Sequence, residues 1–194
     1  EFMHFTQLDR RYDWDTSWAF HVNIGAASKR RTEDYAYRLP YSSDEHYYIN
    51  QSYGGTFSHF VGSDSEYAID FGLPEGTKVL AARAGTVIAY RSDSDVGGNS
   101  SAFENHENYI VIKHDDGTYA NYSHFKKDGV LVSLGQFVTE GTPIGLSGAT
   151  GFASQPHLHF VVYRVIDGDK RPSLPFTTRT PNGLVKQLEK DQMY

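Results

Sequence analysis

From residue 47 to residue 165 the chain is built of short β-branched and aromatic runs, YYIN, EYAIDF, TKVLAA, GTVIAY, NYIVIKH, TYANYSHF, PIGLSG and HLHFVVYRV, separated by turns that mostly carry glycine. Runs this short, broken this often, suit strands rather than helices. They predict an all-β, mostly antiparallel domain over residues 46–176. Residues 1–45 are more polar, with a basic cluster at Lys29, Arg30 and Arg31 and one alternating stretch at 18–24, and they read as an appendage. Residues 177–194 read as a tail that is helical over 184–193, and residues 93–106 as a long loop around Gly97-Gly98-Asn99. Glu1 and Phe2 ahead of Met3 suggest a cloning scar, with the expectation that a leader and upstream sequence have been removed.

Asp116-Gly117 is a two-residue hairpin signal between alternating strands. That turn pairs Ile112 with Asn121 and Tyr109 with His124, and puts His124 and His114 on opposite faces. Composition removes several functions. With 18 Lys+Arg against 24 Asp+Glu, the net charge of −6 gives no broad field for polyphosphate, so nucleic acid is not an expected partner. No apolar run approaches the ~20 residues of a membrane span. Cysteine is absent, so a metal must be held by His, Asp or Glu.

Two places carry chemistry. His157-Leu158-His159 leads into a strand, where residues i and i+2 project from one face about 6–7 Å apart, so one imidazole can hold a metal while the other works beside it. Two ordinary polar strand residues would give the same pattern. Asp70 interrupts the apolar Ala68-Ile69-Asp70-Phe71, and a buried carboxylate needs a cation or several hydrogen bonds, such as backbone N–H groups at a turn. The unmatched histidines, His4, His21, His46, His106 and His114, read as surface or turn residues, and the 14 tyrosines as sheet packing.

Three segments taken together, 67–87 around Tyr67-Ala-Ile-Asp70-Phe-Gly, 119–125 as Tyr119-Ala-Asn-Tyr-Ser-His124-Phe, and 145–160 ending Gln155-Pro-His157-Leu-His159-Phe, resemble the lysostaphin/LytM-type zinc metallopeptidases of bacterial envelopes in order and spacing. The resemblance covers roughly residues 47–165. It implies the duplicated hybrid-motif β-fold of that family, one Zn2+ per chain, a peptidoglycan peptide as substrate, and a periplasmic or secreted location. It makes Asp70 and His159 metal ligands and His124 and His157 catalytic. The common short form of the first motif has His four residues before the Asp, where this chain has Glu66; a longer-loop branch places the His upstream, as Ser58-His59 does. His59 is therefore the expected third ligand and Glu66 its rival. The alternative activity is a non-catalytic relative that binds wall or divisome partners.

Overall fold

The structure is a computed structural model that describes residues 35–166 and 170–194. The alternating stretch at 18–24, the basic cluster at 29–31, His4, His21 and the start of the chain lie outside the described residues. In chain order the strands are β1 (Ala36–Arg38), β2 (Ile49–Gln51), β3 (Ile69–Phe71), β4 (Lys78–Leu80), β5 (Gly85–Arg91) and β6 (Gly97–Gly98). A 3-10 helix (Ser101–His106) precedes β7 (Tyr109–Lys113), β8 (Tyr119–Ser123), β9 (Phe125–Val130), β10 (Phe137–Val138), β11 (Pro143–Ser147) and β12 (Gly151–Phe152). Then come β13 (Leu158–Tyr163), β14 (Thr177–Thr180) and β15 (Gly183–Val185). The all-β expectation holds, and all but two of the strand pairings are antiparallel.

The site depends on a seven-stranded sheet of order β10-β5-β7-β8-β13-β3-β2. Its register sorts side chains by face, because directly paired residues point the same way. Ile110, Tyr122, Phe160 and Ile69 fall in one row across four strands, and Ile112, Ala120 and Val162 in the next. All seven are buried in the main core, where they meet Val79 and Ile144 of the small sheet β4-β11-β9. Burying a ring the size of Phe160 stabilises the fold by about 2–3 kcal/mol. The opposite face carries Tyr109, Ser123, His159 and Asp70 in one row and Val111, Asn121 and Val161 in another. This second face holds only a small apolar cluster of Val111, Tyr119, Tyr163 and Val165. It is the face on which polar chemistry is left room.

Three expectations are corrected. The β7–β8 hairpin turns through three residues, Asp115-Asp116-Gly117, so Val111 rather than Ile112 pairs with Asn121 and Tyr109 pairs with Ser123. Gly117 takes φ +83, and His114 N–H donates to the Thr118 carbonyl at 2.9 Å. Asp116 holds the wider turn by accepting from both the N–H and the hydroxyl of Thr118, and Arg83 pairs with Asp115 and Asp116 together. The tail is not helical: β15 occupies the start of the expected helix, and residues 191–194 run as an extended partner of residues 47–49. Finally, the expected boundary at residue 45 cuts through packed structure. β1 pairs with β14 in parallel, and Tyr37, Leu39 and Tyr41 are buried in the main core.

The expected loop at 93–106 is partly ordered by β6, which pairs in parallel with β12, and by the 3-10 helix. Among the described residues no helix is long and apolar enough to cross a membrane.

Candidate metal centre

β3 and β13 are antiparallel neighbours, and their register sets Asp70 directly opposite His159 on the polar face. The Oδ1 of Asp70 lies 2.9 Å from His159 Nδ1. A third donor comes from the loop between β2 and β3, where the fully buried His59 brings Nε2 to 3.2 Å from the same carboxylate oxygen and 3.3 Å from His159 Nδ1. Two metal–nitrogen bonds of ~2.0–2.1 Å at tetrahedral angles subtend an edge of about 3.3 Å, so the trio has the spacing of one face of a zinc tetrahedron. Tautomers strengthen the fit. His59 Nδ1 lies 3.2 Å from the Ser52 carbonyl, which can only accept, so the proton belongs on Nδ1 and Nε2 presents a lone pair. A lone pair facing a carboxylate oxygen at 3.2 Å is acceptor against acceptor, and a cation resolves it.

Gln51 is the bracket that sequence reasoning missed. Its side-chain amide donates to Asp70 Oδ2 at 3.0 Å and to the Ser58 hydroxyl, while its carbonyl accepts from the N–H groups of Phe57 and Ser58. One buried side chain thus fixes both the carboxylate and the loop that delivers His59. Gly55 allows it, because a Cβ there would stand 2.5 Å from Gln51 Cγ. Burial alone would raise the Asp70 carboxyl, but the imidazoles around it, His159 first and then His59 and His157, outweigh that and hold Asp70 well below the usual carboxylate range. Desolvation lowers His159, against the pull of Asp70, which favours the neutral donor form.

Glu66 is elsewhere. Residue 66 lies in a turn before β3 begins, so it shares no strand face with Asp70, and its carboxylate accepts the Gly62 N–H at 2.7 Å. Among the described residues His59, Asp70 and His159 are the one group of three or more His, Asp or Glu side chains placed to hold a metal ion.

The other two expected site residues stand beside this trio. His157 projects two residues before His159, with Nε2 4.0 Å from Asp70 Oδ1 and Nδ1 2.9 Å from the Gln155 carbonyl. His124 arrives by a less regular route. It follows β8 with φ +71, a left-handed conformation that costs a non-glycine residue about 1 kcal/mol or more. That twist takes it out of the strand alternation and sets its ring 4.4 Å from the His157 ring and 6.0 Å from the His159 ring. Thr150 and Asn108 hold the twist. The Thr150 carbonyl lies 2.7 Å from His124 Nδ1, its hydroxyl donates to the Phe125 carbonyl, and that hydroxyl accepts the N–H of the fully buried Asn108. Asn108 also donates to the Phe125 carbonyl and accepts from Ser94. Burial, with the His157 and His159 charges, pushes the His124 imidazole down to about 3, so it is a neutral ring at physiological pH.

Asp70, His124, His157 and His159 open onto a cleft of about 540 Å³, with His59 buried behind them; the cleft is also lined by Phe57 and Phe152, whose ring centroids are 5.2 Å apart, and by the polar residues Asn50, Ser154 and Gln155. The peptidase family M23 model matches residues 64–173. The chain belongs to peptidase family M23. It is 33% identical over 132 residues to the peptidoglycan DD-endopeptidase ShyA of Vibrio cholerae, a match covering 64% of this chain and 28% of that protein. It is 32% identical over 112 residues to lysostaphin of Staphylococcus simulans, covering 57% of this chain and 20% of lysostaphin. Among solved structures, a zinc-containing peptidase from Vibrio cholerae superposes with a TM-score of 0.50 at 30% identity, over 72% of this chain and 39% of that one. The chain therefore spans about a fifth to three-tenths of the length of these curated M23 relatives.

Proposed function

We propose that this M23 chain is a zinc-dependent endopeptidase that hydrolyses peptide bonds in bacterial peptidoglycan, acting in the periplasm or outside the cell. The observation that carries the reading is the convergence of His59 Nε2, Asp70 Oδ1 and His159 Nδ1 within 3.3 Å of one another, with two further imidazoles alongside. Those three side chains would hold one Zn2+, leaving a coordination position free. When bound, zinc supplies Lewis acidity, polarising a carbonyl and lowering the pKa of water towards ~7.

The chain's own residues do the rest. His124 and His157 each aim Nδ1 at a backbone carbonyl, which fixes the proton there and leaves Nε2 as the basic atom of each ring. The His124 ring, with its lone pair at Nε2, can take a proton there from attacking water and return one to the leaving amine. The His157 ring, 4.4 Å away, is the second group able to hand over or hold that proton. Phe57 and Phe152 form an apolar rim that limits water around an extended peptide. The peptidoglycan substrate is supported by the activities named for ShyA and lysostaphin.

The test is mass spectrometry of muropeptides released from purified sacculi by the zinc-loaded and the chelated protein. Products with zinc and none without are expected; cleavage that persists in excess chelator would overturn the reading. His59→Ala should lose zinc and Glu66→Ala should keep it, read by elemental analysis of the two variants.

A further inference from the structure

Residues 187–190 form a strap that contributes Gln187, Glu189 and Lys190 to the lining of the cleft. They lie beyond the segment matched by the M23 model, yet they are fastened to the sheet at both sides. Downstream, residues 191–194 extend the sheet beyond β2: Ile49 N–H donates to the Gln192 carbonyl at 2.9 Å, Asp191 N–H to the Ile49 carbonyl at 2.8 Å, and Tyr47 and Tyr194 exchange both hydrogen bonds. Upstream, Leu188 is buried in the main core and its carbonyl accepts the Ser52 hydroxyl. With the backbone held on either side, Glu189 and Lys190 are exposed and line the cleft together with Gln187.

The remaining lining is informative for what it does not carry. Apart from Asp70 and His159, which the metal trio uses, and the two further histidines His124 and His157, the other side chains lining the cleft are amides, hydroxyls and aromatic rings. Neither Glu189 nor Lys190 enters the ion pairs found among the described residues. Away from the metal trio and the two histidines beside it, a permanent charge on a bound peptide therefore meets its counter-charge on this strap. We infer that Glu189 and Lys190 are specificity-determining residues of the cleft, Lys190 pairing with a carboxylate and Glu189 with an ammonium group of the bound peptide. The inference rests on the peptidase reading for the nature of the ligand, a peptide, and goes beyond it in assigning which groups read the peptide's charge. Replacing an ion pair by a like-charge contact in a cleft open to water is expected to change affinity about three- to ten-fold, or about 0.6–1.4 kcal/mol.

The experiment uses two synthetic cross-linked muropeptides, identical except that one carboxylate is free in the first and amidated in the second. Binding is measured to the zinc-loaded His157→Ala protein and to the same protein carrying Lys190→Glu, with zinc content checked in both. A preference for the free acid that is lost in Lys190→Glu, while affinity for the amidated peptide stays within about two-fold, supports the assignment. A matched pair with a free or acetylated amine tests Glu189→Lys in the same way. Equal affinity for both members of a pair, a preference unchanged by charge reversal, or no binding would overturn it. Cleavage of the same peptides by the protein with His157 intact is a separate readout. Charge-dependent binding without cleavage would remove the peptidase reading and leave the charge-reading strap, whereas cleavage with no charge dependence would do the reverse.

Discussion

The β7–β8 hairpin has a buried histidine near each end, and the two share nearly every local property. His114 at the turn places Nδ1 2.8 Å from the Ala84 carbonyl, and His124 at the open end places Nδ1 2.7 Å from the Thr150 carbonyl. Burial lowers both rings, to about 4 and about 3. The difference is the second nitrogen. His114 packs against Tyr37 in the core, and its Nε2 is buried without a hydrogen-bond partner. His124 turns its ring onto the polar face beside His157. Burial, a fixed tautomer and a depressed pKa therefore do not tell these two histidines apart; the direction of the free lone pair does.

Three measurements would break or sharpen that contrast. The largest effect is expected for His124→Asn, a replacement that tolerates positive φ and removes the imidazole: kcat for muropeptide cleavage should fall by about two orders of magnitude or more, with zinc content and melting temperature near wild type. A loss of zinc there would make His124 part of the metal site instead.

At the other end, His114→Ala should leave kcat within about two-fold and cost roughly 2 kcal/mol of stability by urea unfolding, because it opens a cavity against Tyr37. The pH dependence has a definite sign. Below pH 6.5 the unfolded chain binds a proton at residue 114 that the folded protein refuses until about pH 4. The stabilisation is therefore complete above pH 6.5 and is lost as pH falls towards 4. His114→Phe should abolish this loss, gaining about 1 kcal/mol or more on wild type between pH 7.5 and pH 5. A difference that does not change with pH would mean the ring is already charged in the fold.

The smallest effect is expected for Thr150→Val, which removes the hydroxyl between Asn108 and Phe125 but keeps the carbonyl on His124. Stability should fall by about 1 kcal/mol and kcat several-fold, with zinc unchanged. A variant with wild-type kcat would show that the twist at His124 holds without this bond.

The same hairpin shows how much the sequence could reveal. Alternating runs and turns were enough for an all-β fold, because periodicity is written residue by residue. The spacing His157-x-His159 likewise predicted two imidazoles on one strand face, and the resemblance brought His59, Asp70 and His124 to the same place. Register was not legible. Asp116-Gly117 is a two-residue turn signal, but the aspartate side chains, tied to Thr118 and to the distant Arg83, select three residues. A one-residue shift moves every pairing in the hairpin, and Tyr109, expected opposite His124, stands opposite Ser123. The separation of His124 from His114 arises from φ +71 at residue 124, and no local pattern announces that. Gln51, Asn108 and Thr150 were invisible for a related reason. Each is an ordinary polar residue whose role comes from partners up to 42 residues away. The tail read as a helix because residues 184–193 have apolar positions at helical spacing, whereas pairing with residues 47–49 offered its backbone a long-range alternative.

That last pairing bears on how the rims of the large sheet are covered. A seven-stranded sheet presents two rims of unsatisfied backbone groups, and an open rim is a template on which another chain can add a strand. Residues 191–194 occupy the rim at β2, and the opposite rim is β10, a strand of only two residues. Neither offers a long flat ladder. Disturbing the final residues would uncover residues 47–49, next to the half-exposed Tyr48, and turn a finished sheet into a sticky one.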